Sequence, residues 1–181
     1  MRTLVTAAGL SGLLLIPQAV SPAGGAEESA ENLVANPSFE RAENGPEWPA
    51  EWRGDRQVYR RDADGGRHGS AALRFDNDDP DRYRLASQPI PLKPGRTYAF
   101  GGWVKTENIT GDDAGATFCV EWQDAGGNWL GGRYPAGVRG TPDWSRVTGV
   151  ATVPEEAASC SFTCYVRRGM TGTAWFDDVE V

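Results

Sequence analysis

The 181-residue sequence carries 18 Lys and Arg against 25 Asp and Glu, a formal charge of -7, and one histidine. That acidic balance disfavours nucleic acid and anionic membrane as partners and leaves a neutral ligand as the better match. Roughly 155 residues follow the N-terminal leader described next, enough for one domain with a sizeable core and too few for two.

The leader is "MRTLVTAAGLSGLLLIPQAVSPAGGA", residues 1–26, with Arg2 ahead of an apolar run from Leu4 to Ile16 and small residues after it. This is the layout of a secretory signal peptide, with cleavage after Ala23 or Ala26 both compatible. The run is shorter than the roughly 20 residues a membrane span needs. Loss of Arg2 takes Lys and Arg from 18 to 17 and the charge from -7 to -8. The expectation is a secreted protein whose domain is residues 27–181.

A polar "AEESAE" leads into "NLVANPSFE", where structure is expected to begin. The chain carries 23 glycines and 12 prolines, and beyond this stretch they interrupt every helical period. What recurs instead is short runs of period-2 alternation: "AALRF", "TYAFGGWVKT", "ATFCVEWQD", "SRVTGVATV", "CSFTCYVRR" and "TAWFDDVEV". Turn chemistry such as "KPG", "DAGGN", "GTPDW" and "RRGMTG" bounds them. Many short strands with turns between them predict an all-β fold, an antiparallel sandwich or barrel.

Alternation assigns faces. Phe118, Val120 and Trp122 oppose Cys119, Glu121 and Gln123, and in the preceding strand Trp103 opposes Phe100 and Val104. A polar face bearing an aromatic follows, with Trp103 beside Glu121 and Gln123. Tyr165 and Arg167 oppose Cys164 and Val166 and extend the same surface. Cys119, Cys160 and Cys164 are an odd set for a secreted chain. Four residues of extended strand hold Cys160 and Cys164 more than about 12 Å apart, and Cys119 points away from the apolar side, so three unbridged thiols are expected.

The ordered series "NLVANPSFE", "WPAEWR", "GGRHGSAALRF", "ASQPIPLKPGRTYAFGGWVKTENITG", "VEWQDAGGNWLGG", "TPDWSRVTGVATVPEEA" and "GMTGTAWFDDVEV" resembles the jelly-roll carbohydrate-binding modules of families four, nine, sixteen and twenty-two. The resemblance covers residues 32–181. It implies a two-sheet antiparallel β-sandwich of the galactose-binding-domain-like type, with first and last strands adjacent. It also implies a structural Ca²⁺ site, where Glu40 and Asp177 supply side chains and Ser70 and Asp178 are weaker candidates. Mixed carboxylate and carbonyl oxygens suit calcium.

For the sugar, the resemblance implies either a sheet groove or edge loops, with aromatic rings stacking on C–H faces and planar polar groups meeting hydroxyls. Trp103, Glu121 and Gln123, extended by Tyr165 and Arg167, fit the groove; Trp129 and Tyr134 in "GGNWLGGRYPAG" fit a loop platform. Trp48, Trp52, Trp122, Trp144 and Trp175 are expected to pack rather than bind.

No catalytic constellation stands out. His68 lies in a "GGRHGS" loop, and the acidic runs "DNDDPD" and "GDD" read as solvated loops. The expected function is a non-catalytic module that binds a neutral oligo- or polysaccharide and normally accompanies a catalytic domain in a longer parent protein. The alternatives are an interdomain sandwich without sugar binding, and a small glycoside hydrolase that uses Glu121 with a second carboxylate.

Overall fold

The computed structural model describes residues 31–181; the expected leader falls outside the described residues. Ten strands follow in chain order: β1 (Arg53–Gly54), β2 (Tyr59–Asp62), β3 (Ala72–Asn77), β4 (Leu85–Ile90), β5 (Thr97–Thr110), β6 (Ala116–Gln123), β7 (Trp129–Arg133), β8 (Ser145–Thr152), β9 (Ser159–Val166) and β10 (Thr171–Glu180). They form two five-stranded antiparallel sheets, ordered β1-β4-β9-β6-β7 and β2-β3-β10-β5-β8. From β3 onward almost every connection crosses from one sheet to the other, so strands that are consecutive in sequence rarely lie side by side.

The core is the layer between the sheets. Phe118, Val120 and Trp122 of β6 and Phe162, Cys164 and Val166 of β9 face Phe100 and Val104 of β5 and Phe176 of β10. Phe162 is central, with Phe118 stacked at 5.5 Å and Trp52 and Phe100 edge-on at 6.3 and 6.4 Å. Gly102 makes this approach possible, because a Cβ there would lie 2.8 Å from Phe118 and 2.9 Å from Val179. The buried amide of Gln88 both donates to the carbonyl of Ala35 and accepts from its N–H, each at 2.9 Å. A polar group inside the sandwich is thereby satisfied.

The beginning and end of the described chain are laced together. The Leu33 N–H donates to the carbonyl of Val181 at 3.1 Å, that of Val179 to Pro37 at 3.0 Å, and the Asn32 amide to Val179 at 2.9 Å. All three cysteines are free thiols. Cys119 and Cys164 occupy neighbouring strands but point to opposite faces, which forbids a bridge. Burial, followed by the nearby Glu121 carboxylate, pushes the Cys119 thiol up to about 12.

Candidate functional site

The face of the β1-β4-β9-β6-β7 sheet that points away from the core carries a groove of about 250 Å³. Its lining comes from all five strands or their ends, including Arg53, Ser87, Glu121, Gln123, Trp129 and Ser161. It therefore runs across the strands. Five strands spaced about 4.8 Å apart make a floor roughly 19 Å long, open at an edge strand on either side. Register places Pro89, Ser161, Glu121 and Gly132 in one row and Ser159, Gln123 and Trp129 in the next. Trp129 is 63% exposed, the most exposed aromatic side chain among the large hydrophobics of the described residues.

The small serines of β9 and β4 keep the floor low, and the larger Trp129 stands up as a wall on the edge strand β7. The Gly-rich stretch that sequence analysis reads as a loop is this strand, and its glycines have a specific use. A Cβ at Gly132 would lie 2.6 Å from the hydroxyl oxygen of Tyr134, so its absence lets the Tyr134 hydroxyl donate to Glu121 Oε1 at 2.6 Å. Burial and this bond to Glu121 hold the Tyr134 hydroxyl well above its ordinary pKa. Tyr134 is 39% exposed, its hydroxyl is engaged by Glu121, and the Arg167 guanidinium stands 5.7 Å from its ring.

Beyond Glu121 the same face is filled. Cys119 and Thr163 are directly paired in register and point away from the core, yet both are buried. The cluster around them is Tyr83, Tyr134, Tyr165 and Arg167, with Tyr83 edge-on to Tyr165 at 6.5 Å and Arg167 at 5.5 Å from the Tyr165 ring. Glu121, Gln123 and Trp129 therefore line the open groove, while Tyr134, Tyr165 and Arg167 form the block that bounds it. Sequence reasoning passes over Arg53, the groove serines and Tyr83. The serines share the alternation that picks out Tyr165, but a small hydroxyl carries no aromatic or charge signal.

Trp103 is a correction. It lies on β5 in the opposite sheet, paired with Asp177 of β10 and Arg146 of β8, and does not share the groove with Glu121 and Gln123. Alternation reports which residues of one strand share a face and says nothing of which sheet the strand joins. Arg67 covers its ring at 3.7 Å, with Arg146 at 5.7 Å on the same ring. Trp175, on the same outer face, donates its indole N–H to Asp62 at 2.9 Å and lies near Arg74 and Lys105.

Arg67 also reaches the acids at the chain ends. Its backbone N–H donates to Asp177 Oδ2 at 2.9 Å and its guanidinium to Asp178 Oδ2 at 2.6 Å. The second oxygen of Asp178 accepts from Ser38 Oγ at 2.9 Å, and Glu40 Oε1 accepts from the Ala71 N–H at 3.0 Å. Asp177 is fully buried, which pushes its carboxyl up to about 6, with the Asp178 and Glu40 charges adding to that rise against two backbone N–H bonds. Ser70 contributes its backbone carbonyl to the same loop, where it accepts from the Gly66 N–H at 2.7 Å.

The fold is that of the jelly-roll carbohydrate-binding modules. One similar structure is the CBM22-1 and GH10 portion of the Clostridium thermocellum endo-1,4-β-D-xylanase 10B in complex with xylohexaose, at TM-score 0.61 and 15% identity, covering 83% of this chain and 28% of that one. The TmCBM61 module in complex with β-1,4-galactotriose matches at TM-score 0.53 and 23% identity, covering 83% of this chain and 97% of that one. The enzymatically active domain of tailspike protein 4 from bacteriophage CBA120 matches at 0.59 and 17%, over 82% of this chain and 21% of that one. This chain thus spans only a small part of the xylanase and tailspike chains. No described protein family matches the sequence, and no similar sequence was found among curated proteins.

Proposed function

We propose that this protein is a non-catalytic carbohydrate-binding module that holds a linear oligo- or polysaccharide in the groove across the β1-β4-β9-β6-β7 sheet. The observation that carries this reading is Trp129, free of packing partners on one face and standing over a polar floor that contains Glu121 and Gln123. A pyranose C–H face packs on such a ring, and the carboxylate and amide meet its hydroxyls. The similar modules whose structures hold xylohexaose and galactotriose support the class of ligand.

The groove lining contains one carboxylate, Glu121, and not the pair that glycoside hydrolysis employs. A bound module raises the local concentration of an attached catalytic domain on its substrate. Attachment of that kind in the xylanase 10B structure, together with the leader at residues 1–26, supports a secreted, modular parent protein. Affinity-gel and calorimetric titration of residues 27–181 against linear polysaccharides tests the reading. Absence of binding by a folded protein would return the groove to an interdomain surface.

We also propose a structural calcium ion at Glu40 and Asp177. The charges of Glu40 and Asp178 bear on the buried Asp177; the Arg67 guanidinium is bonded to Asp178, and that of Arg61 to the Phe39 and Glu40 carbonyls, which leaves the Glu40 and Asp177 carboxylates without a cation bonded to them. That balance suits a divalent cation. Asp178 is engaged by Ser38 and Arg67, so Glu40 and Asp177 are the fitting side chains, and the remaining oxygens of a calcium shell would be backbone carbonyls such as that of Ser70. Among the described residues no three His, Cys, Asp or Glu side chains are grouped to hold a metal.

A further inference from the structure

The block beside the groove contains polar atoms that the described residues leave without partners. Tyr165 is 2% exposed, its hydroxyl is buried, and no described group accepts from it. The Arg167 Nε–H is likewise buried without an acceptor in hydrogen-bonding range; its nearest carboxylate oxygen, on the half-exposed Asp113, is 3.9 Å away. A buried donor without an acceptor is costly, and each protein of this size carries few of them. Two in one cluster, beside a groove, suggest a group from outside.

The chemistry of that group follows from the donors. Tyr165 offers one O–H, and Arg167 offers a planar guanidinium with N–H groups that match the spacing of two carboxylate oxygens. Glu121, the acid nearest the cluster in the groove, already accepts the Tyr134 hydroxyl. Arg168 adds a second cation, 5.9 Å from the Tyr83 ring. A hydroxyl oxygen could accept from both donors, but it is neutral; a carboxylate offers an oxygen to each and a charge opposite to those of Arg167 and Arg168.

We propose that Tyr165 and Arg167 form a side subsite for the carboxylate of an acidic substituent, a uronic acid borne by the glycan whose main chain lies in the groove. The inference rests on the groove reading above and departs from the neutral ligand that the net charge of -7 favours, because Arg167 and Arg168 make this part of the surface locally cationic. From the Ser161 row to the Tyr165 row is four residues of β9, about 13 Å along the strand. The main chain crosses the strands, so a side branch longer than one sugar ring, directed along them, passes the Glu121–Tyr134 pair and brings its acidic end to Arg167. The Arg167 side chain is 25% exposed, so the incoming group meets the guanidinium first.

The test is calorimetric titration of residues 27–181 with a linear polysaccharide carrying uronic acid side groups, and with the same polymer after carboxyl reduction. The native polymer is expected to bind at least about tenfold more tightly, the scale of one charge-assisted hydrogen bond. Arg167→Gln and Tyr165→Phe should each bring the ratio of the two affinities toward one, and the preference should weaken with salt. Tyr165→Phe removes an unpartnered hydroxyl, so it should melt no lower than the parent, which keeps the test valid if Arg167→Gln misfolds. Equal affinities for the two polymers would overturn the subsite and leave the groove intact. Failure of a folded protein to bind either polymer would overturn both.

Discussion

Replacing Trp129 by alanine removes the large ring that stands free over the groove. At 63% exposure, the ring leaves on the order of 100 Å² open to a ligand, of which one face, about 60 Å², stacks on a sugar. At about 25 cal/mol per Å² that contact is worth about 1.5 kcal/mol, or about a tenfold rise in Kd. Because the side chain packs little in the folded protein, stability should change by no more than about 0.5 kcal/mol. Paired calorimetric titration and thermal melting measure both quantities on one sample. An unchanged Kd for a polysaccharide that the parent binds would refute the stacking role. A large fall in Tm would show that the ring is structural.

Gly132→Ala should weaken binding by roughly tenfold, because the new Cβ meets both the Tyr134 hydroxyl and the Val120 carbonyl and dislodges the bond to Glu121; Tyr134→Phe should reproduce part of that loss in the same titration without the clash. Trp103→Ala should leave glycan affinity unchanged while lowering Tm, since its ring packs under Arg67 on the opposite sheet. Phe162→Ala opens the centre of the core and should cost about 3 to 5 kcal/mol in denaturant unfolding. In chelator, melting should rise on acidification: the Asp177 carboxyl is raised from its ordinary value to about 6, so its contribution is fully present below the ordinary carboxylate range and is lost as pH climbs through 6. Calcium should therefore raise Tm more at pH 7.5 than at pH 5. A calcium-independent Tm at both pH values would exclude the metal.

Much of the fold was legible. Six strands carry alternation strong enough to see, and β3, β5, β6, β8, β9 and β10 are found where it predicts them. The four others hide for separate reasons. β1 is two residues long, and β2 is a short polar run, "YRRD". β4 contains Pro89 and turns the polar Gln88 inward, where Ala35 satisfies it. β7 reads as a turn because Gly131, with φ 136°, and Gly132, where a Cβ would meet the Tyr134 hydroxyl, break its alternation. The site divides the same way. Glu121 and Gln123 follow from the face of β6, and Trp129 from an aromatic among glycines; the serines of the floor have no signal to give.

By itself the sequence determined the class of fold and the inward and outward face of each clear strand, because these depend on side-chain period within a single strand. Which strands become neighbours was decided only in three dimensions. The chain crosses between sheets at nearly every turn, so Trp103 and Glu121, on consecutive strands, end on opposite sides of the sandwich, while Trp129 and Arg53, 76 residues apart, line one groove from its two edge strands. Pairing of that kind is set by how two apolar faces bury each other across the whole chain, and no local pattern encodes it.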